Sequence, residues 1–384
     1  MKKFLCVFLA IFSLLWSSPF VLRAEGETDG IKEFIDGQTQ ASGAGELFGQ
    51  IPEESARYMK ELGIDELSLS ALLSLDTEEV IKLVLKMAAD YLNNIKGTFA
   101  ALLGIVLIAA MMEALKDRLS KESAGKVVDL LAALCLAGVA IVPVYSVMGR
   151  ALSALKNSSN FITAMIPVLT GIMTAGGHVV SGAGYNVAIY GLAQVIAALG
   201  SAVLGPLAGI YLAFSVVSSV SGELNLKNAA KGIKSALSWM LGICSTIFVS
   251  VLTAQTALAG TADSVIAKTG RFVVGSAVPI IGSSLSDALS AIQGCLGLLK
   301  NVVGVFGVLS LVFIFAPVVV ECLVWLGILN IAAFAADALA VGETGGLLRS
   351  VSGAVSLFIT ILIFSAVLLV VSLGIVLLIS GKGV

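Results

Sequence analysis

The chain has 384 residues, 58% of them apolar and 12% charged, with a formal net charge of −2. A soluble domain carries roughly 25% charged residues, so this composition excludes an ordinary soluble domain and predicts an all-α polytopic membrane protein. The near-neutral balance offers no basic surface for nucleic acid.

The first residues, MKKFLCVFLAIFSLLWSSPFVLRAEG, place Lys2 and Lys3 before an apolar run from Phe4 to Trp16, then Pro19 and the small residue Ala24. That order is the layout of a signal peptide over residues 1–24, with cleavage after Ala24. Leu22 at the minus-three position leaves an uncleaved anchor as the alternative. In either case the following segment is expected on the far side of the membrane.

Residues 25–96 hold 15 acidic and 6 basic groups, a net charge of −9. Such a segment is ill suited to an anionic bilayer surface or to nucleic acid and is expected to form a small extracytoplasmic face. Its first half, EGETDGIKEFIDGQTQASGAGELFGQ, is rich in Gly, Asp, Glu, Gln and Ser and is expected to be loosely ordered. Pro52 followed by Glu53 and Glu54 marks a helix start. Asp76 with Glu79 resembles a capping box ahead of an apolar stripe at Val80, Val84, Met87, Ala88, Tyr91 and Ile95. The stripe is expected to pack on its own neighbours, with docking onto another protein as the alternative.

Residues 97–384 form the multi-pass domain. A run of about 20 apolar residues crosses a bilayer as a helix, and spans are expected near 98–115, 127–148, 161–180, 186–203, 204–220, 235–258, 302–320, 322–340 and 352–379. Pro167, Gly171, Gly176, Gly177, Gly205 and Pro206 interrupt the 161–220 region, which leaves fewer crossings plus a re-entrant element open. Basic loops set the orientation. With residues 25–96 outside, Lys116, Arg118, Lys121 and Lys126 fall inside, as do Lys227, Lys231, Lys234 and Lys382.

Titratable chemistry is scarce. His178 is the single histidine, and Ser181 near it does not make a hydrolase without a nucleophile elbow or a second histidine. A histidine at a helix end, bonded to backbone, is the expected reading. Cys135, Cys244, Cys295 and Cys322 lack CxxC spacing and read as small buried hydrophobes. No GxxxxGK[ST] loop is present, so no nucleotide or other cofactor is expected, and the chain reads as a non-enzyme.

Acids at membrane depth are costly and are candidates for function. Glu113, Asp129, Asp287, Glu321 and Asp337 lie in or at the ends of apolar runs, where a polar path and structural pairing to Lys or Arg are the two readings. Asp287 and Asp337 share the context D-A-L but lack the glycine motif of an intramembrane aspartyl protease. The 40 glycines suit close helix packing, as GPLAG at 205–209 would permit, and broken helices of the transporter kind.

The segment at 264–301 is distinctive. Lys268 and Arg271 precede an apolar stretch punctuated at Gly275, Pro279 and Gly282, too often for a spanning helix and too short to cross. A helix capped by Ser284 or Ser286 is expected next, with a stripe at Leu285, Leu289, Ile292, Leu296 and Leu299, ending at Lys300. The physical reading is a re-entrant or interfacial hairpin anchored at both ends by basic groups. Such backbone is tolerated only against protein or a water-filled cavity.

The run KTGRFVVGSAVPIIGSSLSDALSAIQGCLGLLKN resembles the signature region of the stage III sporulation protein AE family of endospore-forming bacteria. The likeness extends to the signal peptide, the acidic exported segment and the glycine-rich membrane domain. Ser283 departs from the family pattern, where a second glycine is expected after Gly282. The resemblance implies a multi-pass protein of the mother-cell membrane around the forespore, with residues 25–96 in the intermembrane space. It implies a part in a channel or secretion-like complex needed for late forespore gene expression, with a cytoplasmic ATPase and ring-forming bitopic proteins as partners. No catalytic residues come with it, so Lys268, Gly270, Arg271, Gly275, Pro279, Gly282, Asp287, Gly294 and Lys300 stand as motif positions for assembly or conduit. The competing function is a stand-alone secondary transporter of a small solute, which would need an internal repeat. Pro167–Ile172 and Pro279–Gly282 pair too loosely to supply one.

Overall fold

The computed structural model describes residues 37–39, 42–67, 71–72, 75–116, 122–220, 228–229, 231–251, 253–254 and 282–379. Among these, every regular element is helical. A 3-10 turn at Ala44–Gln50 leads into α1 (Glu53–Glu61), followed by α2 (Thr77–Lys116), α3 (Glu122–Ala175), α4 (Val179–Ala198), a π-helical turn (Leu199–Leu204), α5 (Gly205–Val220), α6 (Lys231–Val251), α7 (Gly282–Ala338) and α8 (Gly342–Ile379).

Local chemistry explains the shorter elements. Pro52 occupies the N-cap of α1, and Glu53 and Glu54 sit where the helix dipole favours acids. The helix stops at Gly63, whose φ of 75° is cheap only for glycine. There the Gly63 N–H donates to the Lys60 carbonyl and the Ile64 N–H to the Met59 carbonyl, a Schellman closure. Asp76 caps α2, its Oδ1 accepting from the Glu78 N–H at 3.1 Å.

The long helices do not break where the sequence suggests. Residues 127–148 and 161–180 were expected as separate spans, yet α3 runs through 54 residues with Pro143 and Pro167 inside it. Likewise α7 runs through 57 residues and contains Pro317, fusing the expected spans 302–320 and 322–340. Residues 186–203 and 204–220 are joined by the π turn rather than by a loop. The polar stretch 156–160 does not interrupt α3 because its hydroxyls bond within the helix. Ser158 Oγ donates to the Leu155 carbonyl, and the Ser159 carbonyl accepts from Thr163 Oγ1, both at 2.8 Å. Among the described residues five helices are long and apolar enough to cross a membrane: Glu78–Ala114, Leu134–Ala175, Lys231–Val251, Gln293–Ala338 and Gly342–Gly374.

Side-chain contacts fix the register of the bundle. Arg150 of α3 meets Glu321 of α7. Further along, a Cβ added at Gly307 would collide with Met165 and touch Leu373. Moving up α3 therefore means moving down α7, and α8 returns antiparallel from the Asp337–Arg349 pair at its start. Gly200 and Gly205 let the π turn and α5 close on Leu155 and Leu152, where added Cβ atoms would approach to 2.7 and 3.0 Å. At 1.5 Å per residue α3 and α7 are about 80 Å long, more than twice the ~30 Å hydrocarbon core of a bilayer.

The N-terminal segment is part of this bundle. The tail of the stretch expected to be loosely ordered, Ala44–Gln50, buries Ala44 and Leu47, and Phe48 lies 6.4 Å from Phe306 of α7, centroid to centroid. Tyr58, Met59, Leu62, Ile64 and Leu67 are also buried in the shared core. Along α2 the expected stripe faces inward, with Met87 and Ile95 buried and Val80, Ala88 and Tyr91 half-buried against the core; Val84 alone of the stripe is turned outward, at 38% exposure, and Leu83 beside it is buried. α2 continues without interruption past residue 96.

Candidate functional site

Halfway along the bundle four helices contribute polar side chains to one cluster. Arg150 of α3 binds Glu321 of α7 through two nitrogens: Nε donates to Oε2 at 2.7 Å and Nη2 donates to Oε1. The third guanidinium nitrogen, Nη1, donates to Ser146 Oγ at 3.1 Å. Tyr91 of α2 donates its hydroxyl to Glu54 Oε1 of α1 at 2.9 Å. Glu321 and Arg150 lie close enough to Tyr91, and Glu54 to Arg150, for their charges to act on each other. The Glu321 side chain is 4% exposed and that of Arg150 46%.

The fork geometry matters, because Arg presents paired donors that match a carboxylate and fix its plane. A buried carboxylate without such a partner is strongly unfavourable. The cluster therefore ties α3 to α7 and brings the α1 and α2 pair alongside. Its fork of paired charges acts as a joint between helices. Two irregularities lie at the same height. Pro317, one turn before Glu321, lacks the N–H that would bond the Phe313 carbonyl, and the π turn packs against Leu155.

Other acids flagged from sequence lie elsewhere. Asp337 pairs with Arg349 where α7 turns into α8, both about half exposed. Glu113 is half-buried near the end of α2. Asp129 lies on α3 and Asp287 on α7, with side chains outside the described part. Of the motif positions, Lys268, Gly270, Arg271, Gly275 and Pro279 lie outside the described residues, and with them the expected hairpin. Gly282 opens α7, and Gly294 and Lys300 lie within it.

Lys300 corrects an expectation. It neither ends a helix nor anchors one at a headgroup, for α7 continues 38 residues beyond it, and the side chain is 1% exposed. No breaker follows it, and Leu299, Val302, Val303 and Phe306 around it are all buried, so the apolar stem of the lysine is packed in the core. Of the cysteines expected to be buried, Cys322 is, whereas Cys244 and Cys295 are half-exposed and Cys135 is exposed. His178 does stand at a helix end, as the N-cap of α4, its N–H donating to the Met173 carbonyl at 2.8 Å.

Among the described residues no His, Cys, Asp and Glu side chains gather into a group that could hold a metal. A small apolar cavity of about 10 Å³, lined by Ile162, Met165, Leu169, Ile189 and Leu373 among others, has room for about one water molecule. Arg150, Tyr91 and Glu54 are the members of the cluster that sequence reasoning missed. Arg150 carries the one usable signal, a charge within the run LAGVAIVPVYSVMGRALSAL, but it reads as a loop residue if α3 is split in two.

Comparison with known proteins agrees with the signature. The family model described as stage III sporulation protein AE matches residues 64–380. The stage III sporulation protein AE of Bacillus subtilis (strain 168) is 25% identical over 212 residues, covering 55% of this chain and 53% of that protein. The alignment thus spans about half the length of the relative. No solved structure matches. With most of its length matched by the family model, the chain belongs to the stage III sporulation protein AE family.

Proposed function

We propose that the chain is a non-enzymatic integral component of a channel or secretion-like complex joining mother cell and forespore, required for late forespore gene expression. A role in sporulation and a multi-pass membrane location follow from the family and the apolar helices. The finer reading puts the chain in the mother-cell membrane surrounding the forespore, with its N-terminal segment in the intermembrane space. A cytoplasmic ATPase and ring-forming bitopic proteins are its partners.

The observation that carries this reading is the length of the bundle together with what lies along it. The strap of residues 44–67 and the first half of α2 hold Glu46, Glu53, Glu54, Arg57, Lys60, Glu61, Glu78, Glu79, Lys82, Lys86 and Asp90 beside one half of α3 and α7. Charges at such density are too costly for hydrocarbon. The bilayer accordingly covers the other half, where α2 from 97 to 116 carries one acid before its terminal Lys116. A helical body projecting beyond the membrane suits a subunit that docks to other proteins across a narrow space better than a compact solute carrier.

The test is genetic. Cells lacking the chain should engulf the forespore, fail in late forespore transcription and be restored by the wild-type chain. Arg271→Ala should leave the protein in the membrane but outside the complex. Normal spore formation without the chain would overturn the reading.

A further inference from the structure

Strap residues 44–67 are held by contacts of two different kinds. Their inner face is apolar: Phe48 stacks near Phe306, and Met59 and Ile64 are fully buried. Their outer face is polar and open to solvent. Glu61 accepts from Lys86 Nζ at 2.7 Å with side-chain exposures of 34% and 55%. Lys60 Nζ stands 5.8 Å from the Phe48 ring centroid, and Glu54 accepts from Tyr91.

The strap joins α2 to α3 and α7 at the height where the bundle is least regular. Pro317 removes a hydrogen bond from α7 there, and the π turn replaces α-helical bonding between α4 and α5. Pro sites and π bulges are where helices bend. Arg150 and Glu321 connect α3 and α7 without the strap, whereas the one described hydrogen bond from Tyr91 runs to Glu54 on the strap. Lifting the strap would strip that acceptor from Tyr91 beside the Arg150–Glu321 pair and uncover Phe306.

We propose that residues 44–67 are a releasable strap. Docked, they hold α2 against α3 and α7; lifted by a protein partner on the same face of the membrane, they free the middle of the bundle to bend at Pro317 and the π turn. This rests on the reading of the chain as part of a complex, which supplies the partner. An apolar underside gives the docked state its stability, and exposed ion pairs contribute little, so a competing protein surface can displace the strap without breaking a buried charge pair. Release by a partner needs only that the partner bind the lifted form more tightly.

The measurement is cross-linking of Glu61→Cys with Lys86→Cys in a chain whose native cysteines are replaced by serine. A short, reducible bis-thiol reagent is applied to cells making the chain alone and to cells sporulating on it as their sole copy. The two positions are exposed, so substitution does not disturb packing, and Phe48→Cys with Phe306→Cys under mild oxidation gives a second readout of the same strap. The expected result is high cross-linking in the chain alone and its loss in sporulating cells. Linking before assembly should also abolish heat-resistant spores, with recovery on reduction. Equal cross-linking in both settings, or normal spores from the linked chain, would overturn the proposal. A strain that sporulates without the chain would fail the wider reading instead, a result separate from the cross-linking yield.

Discussion

Arg150 and Glu321, 171 positions apart, close on each other through a two-nitrogen fork that joins the middle of α3 to the last third of α7. This contact sets two very long helices in a single register. Removing Arg150 strands the buried carboxylate. We expect Arg150→Ala to lower stability by about 3 kcal/mol, the low end for a broken buried pair because Arg150 is half-exposed. The double substitution Arg150→Met with Glu321→Leu should recover most of the loss. Melting of the purified protein in detergent reads both, and an unchanged midpoint for Arg150→Ala would mean that the pair contributes nothing.

Much of the class was legible in the composition. A glycine-rich, charge-poor chain could be little else than a helical membrane protein, and Glu321 was identifiable as an acid at unusual depth. The division into helices was not legible. Asn157, Ser158, Ser159 and Asn160 read as a polar loop, but the hydroxyls of Ser158 and Thr163 satisfy themselves on their own helix. The strap was hidden for another reason. Its first turn, AGELFGQ, carries too few apolar residues to signal burial, and the phenylalanine it packs against is more than 250 positions away. The partner of Glu321 was likewise out of reach of any local pattern.

Glycine positions separate close approach from mere abundance. At Gly353 an added Cβ would stand 2.5 Å from the Tyr211 hydroxyl, which belongs to a buried ring that cannot swing aside. Gly353→Ala should therefore destabilise by roughly 1–3 kcal/mol. Gly327, in the middle of α7, has open space around its Cβ position, and Gly327→Ala should stabilise by up to about 1 kcal/mol through helix propensity. Opposite shifts in melting temperature are expected. Equal shifts would mean that the α5 to α8 contact is looser than described.

The proposed placement of the bilayer is open to test on one helix. Leu85 and Ile108 of α2 are 64% and 61% exposed on the bundle, yet 23 residues of helix put them about 35 Å apart. A membrane-impermeant maleimide added to protoplasts should label Leu85→Cys readily and Ile108→Cys barely, because lipid covers only the second. Equal labelling would place both halves of α2 in water.

Lys300 offers a test of burial in the signature helix. Its side chain is 1% exposed among Leu299, Val303 and Phe306, so Lys300→Met, which keeps the length of the apolar stem, should be better tolerated for folding than a shorter, acidic replacement. Lys300→Glu should abolish accumulation of the protein in the membrane. Immunoblots of membrane fractions distinguish these outcomes, and equal accumulation of both variants would contradict the burial.

The proposed function makes the chain one subunit of a larger assembly. The most direct measurement is to tag its C-terminus, solubilise sporulating cells in mild detergent and identify what co-purifies. Recovery with a cytoplasmic ATPase and bitopic ring-forming proteins is expected. Recovery of the chain alone, as a monodisperse particle from cells that sporulate normally, would contradict it.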